Sequence, residues 1–416
     1  MQVRSRLARL KNSRFVRSVG VLMSGTAMAS ALGALTLPVV SRLYTPSEFG
    51  EFALISSIAS IAAALCAFGF QAAVVKAARE AEARDLIRLG LGATMIFIGT
   101  TAVAALVIGP FWGSWQLEIP YQLAVLLVAS LAVLTNVNSY LEYYANRLGR
   151  DRVLFVNSVI AALATVLISI PLGIAGLGAI GLVAGSVGAL LLTVAQMMWR
   201  LRLVSRGEPS DLRGTLRSNW PFVWFQYPSD LIGALAQQMP QQSLAGMFGS
   251  HAIGSYSMTM RVLGVPLKLL GAPIATVYFR EASKRVNAGG EVSGLTFGLL
   301  VRILGLSYPV IACLVVFGQP LFIYVLGSEW GEAGRLASVL AIPAVFAFCK
   351  SSVGTALVVA GRLAVNLTIN TTRLVMEVAA IVAGGAISGS PMGALVAYAV
   401  ASSVYLIADM TITDER

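Results

Sequence analysis

Residues 153–199 read VLFVNSVIAALATVLISIPLGIAGLGAIGLVAGSVGALLLTVAQMMW, 47 positions without one charge. A bilayer core of about 30 Å takes roughly 20 apolar residues per helix. The stretch is too long for one crossing and long enough for two. Pro171-Leu-Gly173, with Gly176 and Gly178, breaks it near the middle. The reading is a hairpin of two membrane-spanning helices.

The rest of the chain follows the same pattern. Ser18 to Ser41 and Phe52 to Val75 are uncharged runs of 24 residues each. Across all 416 residues, 57% are hydrophobic, 12% are charged and mean hydropathy is +0.79. A soluble chain carries about 25% charged residues, so half that amount cannot cover a water-facing surface. Disorder and a DNA-binding domain are excluded on the same ground, despite a net charge of +11. One histidine and three scattered cysteines (Cys66, Cys313, Cys349) make neither a disulfide framework nor a zinc site.

Extending the hydropathy reading predicts an all-α polytopic membrane protein of about twelve transmembrane helices. The predicted spans are 18–40, 50–70, 87–110, 122–145, 154–172, 177–199, 220–248, 252–279, 295–318, 333–360, 363–387 and 392–408. Most of the Lys and Arg then fall on one side: the N-terminus (Arg4, Arg6, Arg9, Lys11, Arg14, Arg17), alternate loops and the C-terminus. The other side holds Arg42 and Arg335 with the acids Glu48, Glu118, Glu329 and Glu332. This positive-inside bias predicts that both termini are cytoplasmic. Ala27-Met-Ala29 resembles a signal-peptide cleavage site, but cutting there would destroy the first span and scramble the loop alternation. The net charge therefore orients the chain more than it describes a partner.

The longest hydrophilic stretch, Arg200 to Asn219, divides the chain into two six-helix halves. The expected organisation is a basic cytoplasmic N-terminus (1–17), a first half (18–199), a cytoplasmic linker (200–219), a second half (220–408) and a cytoplasmic tail (409–416). A short repeat agrees with this division. Phe49-Gly50-Glu51-Phe52-Ala53 aligns with Ile253-Gly254-Ser255-Tyr256-Ser257 at an offset of 204, which also pairs Lys76 with Arg280. Halves of six spans share one orientation, and transporters built this way place substrate in a central cavity between them.

Ionisable groups in hydrocarbon are costly and face a cavity or a partner. Predicted span seven carries Gln226, Asp230, Gly233, Gln237 and Gln241 along one stripe, with Pro221, Pro228 and Pro240 suggesting a kink. Span eight places Ser257, Arg261, Gly264 and Lys268 on one face. Asp230 and Arg261 lie at matching depths, so they are expected to approach near the midplane, leaving Lys268 to attract an anion such as phosphate. Span eleven aligns Asn366, Asn370, Arg373 and Glu377; an i,i+4 ion pair between the last two is the structural alternative. Lys350 lies near the middle of span ten. Span four aligns Asn136, Tyr140, Tyr143 and Arg147, a face suited either to sugar hydroxyls and rings or to an interfacial aromatic belt.

Other signals carry less. Gly176-Leu-Gly178-Ala-Ile-Gly181 fits the dinucleotide-binding spacing but lies in an apolar hairpin, where helix packing explains it better. Asn366-Leu-Thr368 fits a glycosylation acceptor but falls in or near a span. No phosphate-binding loop with its lysine is present, His251 stands alone in a short outer loop, and no nucleophile–base set stands out.

Three segments resemble the polysaccharide transporter (O-antigen or oligosaccharide-lipid flippase) family of the multidrug/oligosaccharidyl-lipid/polysaccharide exporter superfamily. They are Leu37-Pro-Val-Val-Ser-Arg42-Leu-Tyr-Thr-Pro46-Ser-Glu-Phe-Gly50-Glu-Phe-Ala-Leu, Phe68-Gly-Phe-Gln-Ala-Ala-Val-Val-Lys76-Ala-Ala-Arg79-Glu80, and Ile253-Gly-Ser-Tyr-Ser-Met-Thr-Met-Arg261-Val-Leu-Gly264-Val-Pro266 followed by Phe279-Arg-Glu281-Ala. The resemblance implies a non-enzymatic flippase of the bacterial inner membrane. Its cargo would be an undecaprenyl-pyrophosphate-linked repeat unit for O-antigen, capsule or exopolysaccharide.

The resemblance also implies cavity cations, here Arg261 and Lys268 with Lys350 and Arg373 behind them, and no cofactor beyond a proton or sodium gradient. Gln226, Asp230, Gln237, Gln241, Asn136, Tyr140, Asn370 and Glu377 would line the cavity, and Arg42 and Gly50 would serve a gate or a structural motif. Polysaccharide polymerase and glycosyltransferases would be partners. The alternatives are a drug/cation antiporter or peptidoglycan-precursor flippase of the same superfamily, and a membrane enzyme or polymerase. An acid-rich cavity would favour the antiporter, whereas the charges inside spans seven, eight and ten, leaving aside Arg335 at the outer edge, are one acid (Asp230) against three bases (Arg261, Lys268 and Lys350). A large outer catalytic loop would favour the enzyme, and every outer loop is short.

Overall fold

A computed structural model describes residues 2–77, 79–108, 119–201, 212–221, 224, 227–287, 293–353 and 363–414. Among them the chain is helical and contains no strand. The first half comprises α1 (Gln2–Leu43), α2 (Pro46–Ala67), α3 (Phe70–Lys76), α4 (Glu80–Ile108), α5 (Tyr121–Arg147), α6 (Asp151–Ile174) and α7 (Gly178–Leu201). A short helix α8 (Leu212–Pro221) lies in the linker. The second half comprises α9 (Tyr227–Asn287), α10 (Ser293–Leu326), a 3₁₀ turn (Ser328–Trp330), α11 (Gly331–Val353), α12 (Leu363–Ser388) and α13 (Pro391–Asp414).

Nine of the described helices are long and apolar enough to cross a membrane, and Pro391–Leu406 is a shorter apolar helix. The long α9 consists of two helical arms that meet at Gly249 (φ 76°, ψ −173°), at the positions of predicted spans seven and eight. That left-handed backbone is open to glycine without a Cβ penalty. Among the described residues, these nine helices, the two arms of α9 and Pro391–Leu406 stand where the twelve spans were expected, and α3 and α8 are too short to span. The prolines of predicted span seven fall on two helices, Pro221 on α8 and Pro228 and Pro240 on α9. Pro221 closes α8, the crossing itself starts at Tyr227, and the bend falls at Gly249.

Local chemistry sets the boundaries. Thr45 caps α2 with Pro46 in its first turn and Glu48 completing a capping box: Glu48 N–H donates to Thr45 Oγ1 (3.3 Å) and Thr45 N–H to Glu48 Oε2 (2.7 Å). The family-like segment after the first span is thus a helix stop and start. Gly176 (φ 73°) and Gly178 (φ 53°) turn α6 into α7. Gly181 faces the Tyr44 hydroxyl and Leu172, confirming packing as the use of that glycine pattern. Small residues let other helices touch at their backbones: Gly318 against Gly334 between α10 and α11, and Gly384 against Gly393 and Ala397 between α12 and α13.

The main buried cluster lies where the halves meet. It joins Tyr44, Phe49, Phe52 and Ile55 of the first half to Leu244, Ile253, Trp330, Leu336 and Leu395 of the second. A separate cluster (Phe70, Ala83, Leu86, Tyr140, Tyr144, Met197) binds the basic end of the first half.

Candidate functional site

The seam between the halves is built around α2 and α9. The segment 227–248 runs antiparallel beside α2. The Tyr227 hydroxyl donates to the Leu65 carbonyl (2.7 Å), and Gln242 Nε2 donates to Ser57 Oγ (2.7 Å). At the sparsely charged end the backbones nearly touch. A Cβ on Gly50 would collide with the Ser250 carbonyl, and one on Gly254 with the Pro46 carbonyl. These two contacts are the same contact repeated: 254 − 50 and 250 − 46 are both 204, the offset of the sequence repeat. Reciprocal contacts of this kind mark a two-fold relation between α2 and the second segment of α9.

Aromatic groups fill the space beside that crossing. Phe49 packs edge-to-face with Tyr44 (6.2 Å), Phe52 (6.4 Å) and Trp330 (5.3 Å). Trp330 Nε1 donates to the Ser41 carbonyl (2.8 Å), and Ser41 Oγ donates to the Leu326 carbonyl (2.9 Å). The turn between α10 and α11 therefore clasps the end of α1. Arg42 lies in the last turn of α1, where a cation complements the helix dipole, with its Cγ near Gly327. Burial and the Glu48 carboxylate push the Tyr44 phenol above its ordinary pKa, so it stays a donor, to the Ser169 carbonyl (2.6 Å).

Arg261 reaches into this seam from the second half. Its guanidinium sits over Phe52 (5.2 Å) and Phe49 (5.4 Å) of α2, and the residue remains exposed. It forms no ion pair with a described carboxylate, so the expected Asp230–Arg261 approach is corrected: the partner of Arg261 is the aromatic pair. A planar guanidinium can stack by its face and keep its N–H edge free for an anion.

The predicted polar residues separate into three groups. Asp230 and Gln237 are exposed, Gln241 is half-buried, and Asn370 of α12 comes against Gly233 of the same stripe. Asp230 is within electrostatic reach of Tyr143 on α5, across the seam. These residues form one accessible polar region.

The second group is enclosed, which corrects its expected place on a cavity wall. Asn136 Nδ2 donates to the Ala63 carbonyl (3.0 Å) and Asn136 Oδ1 accepts from Gln71 (3.1 Å). The Tyr140 hydroxyl donates to the Ala67 carbonyl (3.1 Å), and its ring occupies the space beside Gly90. Both side chains donate to carbonyls in the last turns of α2. Glu377, 1% exposed, accepts from Arg373 Nε (3.0 Å) and Ser402 Oγ (3.0 Å). Arg373 is thereby neutralised by the i,i+4 pair rather than held as a free cation. The edge-to-face pair Tyr256 and Tyr398 completes this network.

The third group, Gln226 and the side chains of Lys268, Lys350 and Asn366, lies outside the described residues.

Some groups receive no role from the sequence, among them Glu142, which there only lies beside the span-four face with Tyr144. Glu142 accepts at one oxygen from Asn138 (2.9 Å) and Asn157 (2.8 Å), and pairs with no described cation. Asn157 sits in the quoted apolar stretch, whose side-chain amides are Asn157 and Gln196, and that was the available signal. Phe49 and Phe52 lay in the family-like segment but carried no charge to draw attention. His251, expected to stand alone, has Glu332 Oε2 3.2 Å from its Nδ1. No group of three or more metal-ligating side chains occurs among the described residues.

Comparison with solved structures places this architecture. An inward-facing multidrug resistance MATE family transporter of the MOP superfamily matches with a TM-score of 0.62 at 15% identity, covering 94% of each chain. The lipid II flippase MurJ in an inward closed conformation matches with a TM-score of 0.63 at 11% identity, covering 97% of this chain and 88% of that one. A MATE in the straight conformation matches at 0.56 and 17%, covering 96% of both. These likenesses show a shared fold of two halves. No curated protein matches the chain. A family model described as "Polysaccharide biosynthesis protein" matches residues 39–335, a span that includes the capping box, the Gly50–Gly254 crossing and Arg261. The chain belongs to the polysaccharide biosynthesis protein family and is a multi-pass membrane protein with the fold of the MATE and MurJ structures.

Proposed function

We propose that the protein flips an undecaprenyl-pyrophosphate-linked oligosaccharide repeat unit across the bacterial inner membrane, with its basic side in the cytoplasm. The observation that carries the reading is Arg261: an exposed cation without a described carboxylate partner, held on Phe49 and Phe52 at the seam of the two halves. Burying the charge of a pyrophosphate in hydrocarbon is prohibitive. A cation in a protein-lined cleft lowers that barrier while the lipid tail stays in the bilayer.

Each side chain has a defined task in this scheme. Phe49 and Phe52 fix the plane of the guanidinium, and its N–H edge takes phosphate oxygens in a forked, charge-assisted pair. Asp230, Gln237 and Asn370 offer hydrogen-bonding groups to the sugars. Release demands that no state bind too tightly, and one fixed cation suits that better than many. Asp230 can also take up a proton as the cleft changes exposure, which would couple flipping to a proton gradient. Polymerase and glycosyltransferases would act on either side of this step, in O-antigen, capsule or exopolysaccharide synthesis.

The test is a deletion strain labelled for lipid-linked intermediates. The reading expects the repeat unit to accumulate on the cytoplasmic leaflet and return to the periplasmic one on complementation. Accumulation of the peptidoglycan precursor instead would move the assignment to that cargo, and unchanged lipid pools with altered drug tolerance would move it to an antiporter.

A further inference from the structure

The helix α8 lies between the halves in sequence, and its two faces differ sharply. Thr215 and Asn219 are buried, and Leu216 packs against the cluster at the basic end of the first half. Asn219 Nδ2 donates to Glu82 Oε1 of α4 (3.0 Å), which pins the helix beside the first turn of that span. The opposite face carries Arg213, Arg217 and Trp220, at spacings of four and three that place them within one arc. All three are exposed, and Trp220 meets Trp224 edge-to-face at 6.2 Å. Trp224 is 63% exposed. The helix contains no acid, and neither arginine forms an ion pair among the described residues.

Water is a poor neighbour for two large indoles, and hydrocarbon is a poor neighbour for two guanidiniums. The headgroup layer suits both, since tryptophan concentrates there and arginine meets anionic lipid. Pinned to the start of α4, the helix is at the right level for that layer.

We infer that α8 is an interfacial helix whose Arg213–Arg217–Trp220 face binds the headgroups of anionic phospholipids. The inference is independent of the cargo. Because α8 leads directly into α9, lipid held here would also hold the basic end of the segment 227–248.

Bromine-tailed lipids test it on the full chain in nanodiscs. The signal is the tryptophan fluorescence of the protein minus that of W220F/W224F, which isolates these two of the six tryptophans. At the same low mole fraction in phosphatidylcholine, bromine-tailed phosphatidylglycerol should quench this signal several-fold more than bromine-tailed phosphatidylcholine. R213Q/R217Q should lose most of that preference, because each arginine near the surface contributes to anionic-lipid attraction, and R213K/R217K should keep most of it. Added salt should weaken it. Equal quenching by the two lipids overturns the inference, because the helix would then lie in the bilayer without reading charge. No quenching by either also overturns it and leaves the face to water or a protein partner. The substituted arginines face outward, so folding is expected to survive, and an unchanged thermal midpoint checks this.

Discussion

The two ends of the α2–α9 seam are closed by different physics. At the sparsely charged end, backbone meets backbone at Gly50 and Gly254, and Tyr44, Phe49, Phe52 and Trp330 fill the remaining space. At the basic end, the described contacts between α2 and α9 include the Tyr227–Leu65 hydrogen bond and the Phe68–Tyr227 stack (5.4 Å), with the Asn219–Glu82 bond holding α8 to α4 nearby. Dry, close-packed contacts are costly to part, whereas a few polar links exchange readily with water. The comparison teaches that the basic end is the one that opens at low cost in this conformation. Opening the other end requires the glycine crossing and the aromatic plug to separate together.

Substitutions can break this comparison. Trp330→Ala should have the largest effect, about 3–5 kcal/mol, because it empties a fully buried site and strands the Ser41 carbonyl. The thermal midpoint of the purified protein reads that loss. Gly254→Val forces a branched side chain against the Pro46 backbone. It should cost about 3 kcal/mol and abolish surface polysaccharide, and Gly50→Val should match it because the contacts are reciprocal. A large effect at one glycine and none at the other would break the two-fold account. Tyr227→Phe should cost only about 1 kcal/mol, leaving protein in the membrane and shifting cysteine crosslinking at the basic end toward the open state. Asp230→Asn should leave stability unchanged and flatten the pH dependence of transport; an unaltered profile would remove its coupling role.

Much of this architecture was legible in the sequence. Twenty-residue apolar windows report span number directly, because the bilayer sets the length. The Gly50–Gly254 repeat was visible as a short offset match, although its meaning as a contact needed three dimensions. The site was less legible, since periodicity shows which residues share a face and not which neighbour covers it. Asn136 and Tyr140 do share a face, but it is covered by the end of α2. Depth matching placed Arg261 and Asp230 at one level and said nothing about rotation around the bundle. The guanidinium turned to Phe49 and Phe52 instead. The amphipathic α8 was hidden in a stretch whose five arginines, glycines and proline read as a loop.

The central claim is that Arg261 carries a phosphate-bearing lipid through the seam. Leaflet accessibility of the lipid-linked repeat unit, measured in cells expressing Arg261→Gln or Arg261→Lys at equal membrane levels, tests it most directly. The account predicts that Arg261→Gln traps the repeat unit on the cytoplasmic leaflet and that Arg261→Lys, which keeps charge but loses the fork and the stack, flips it partially. Normal flipping by Arg261→Gln would contradict it.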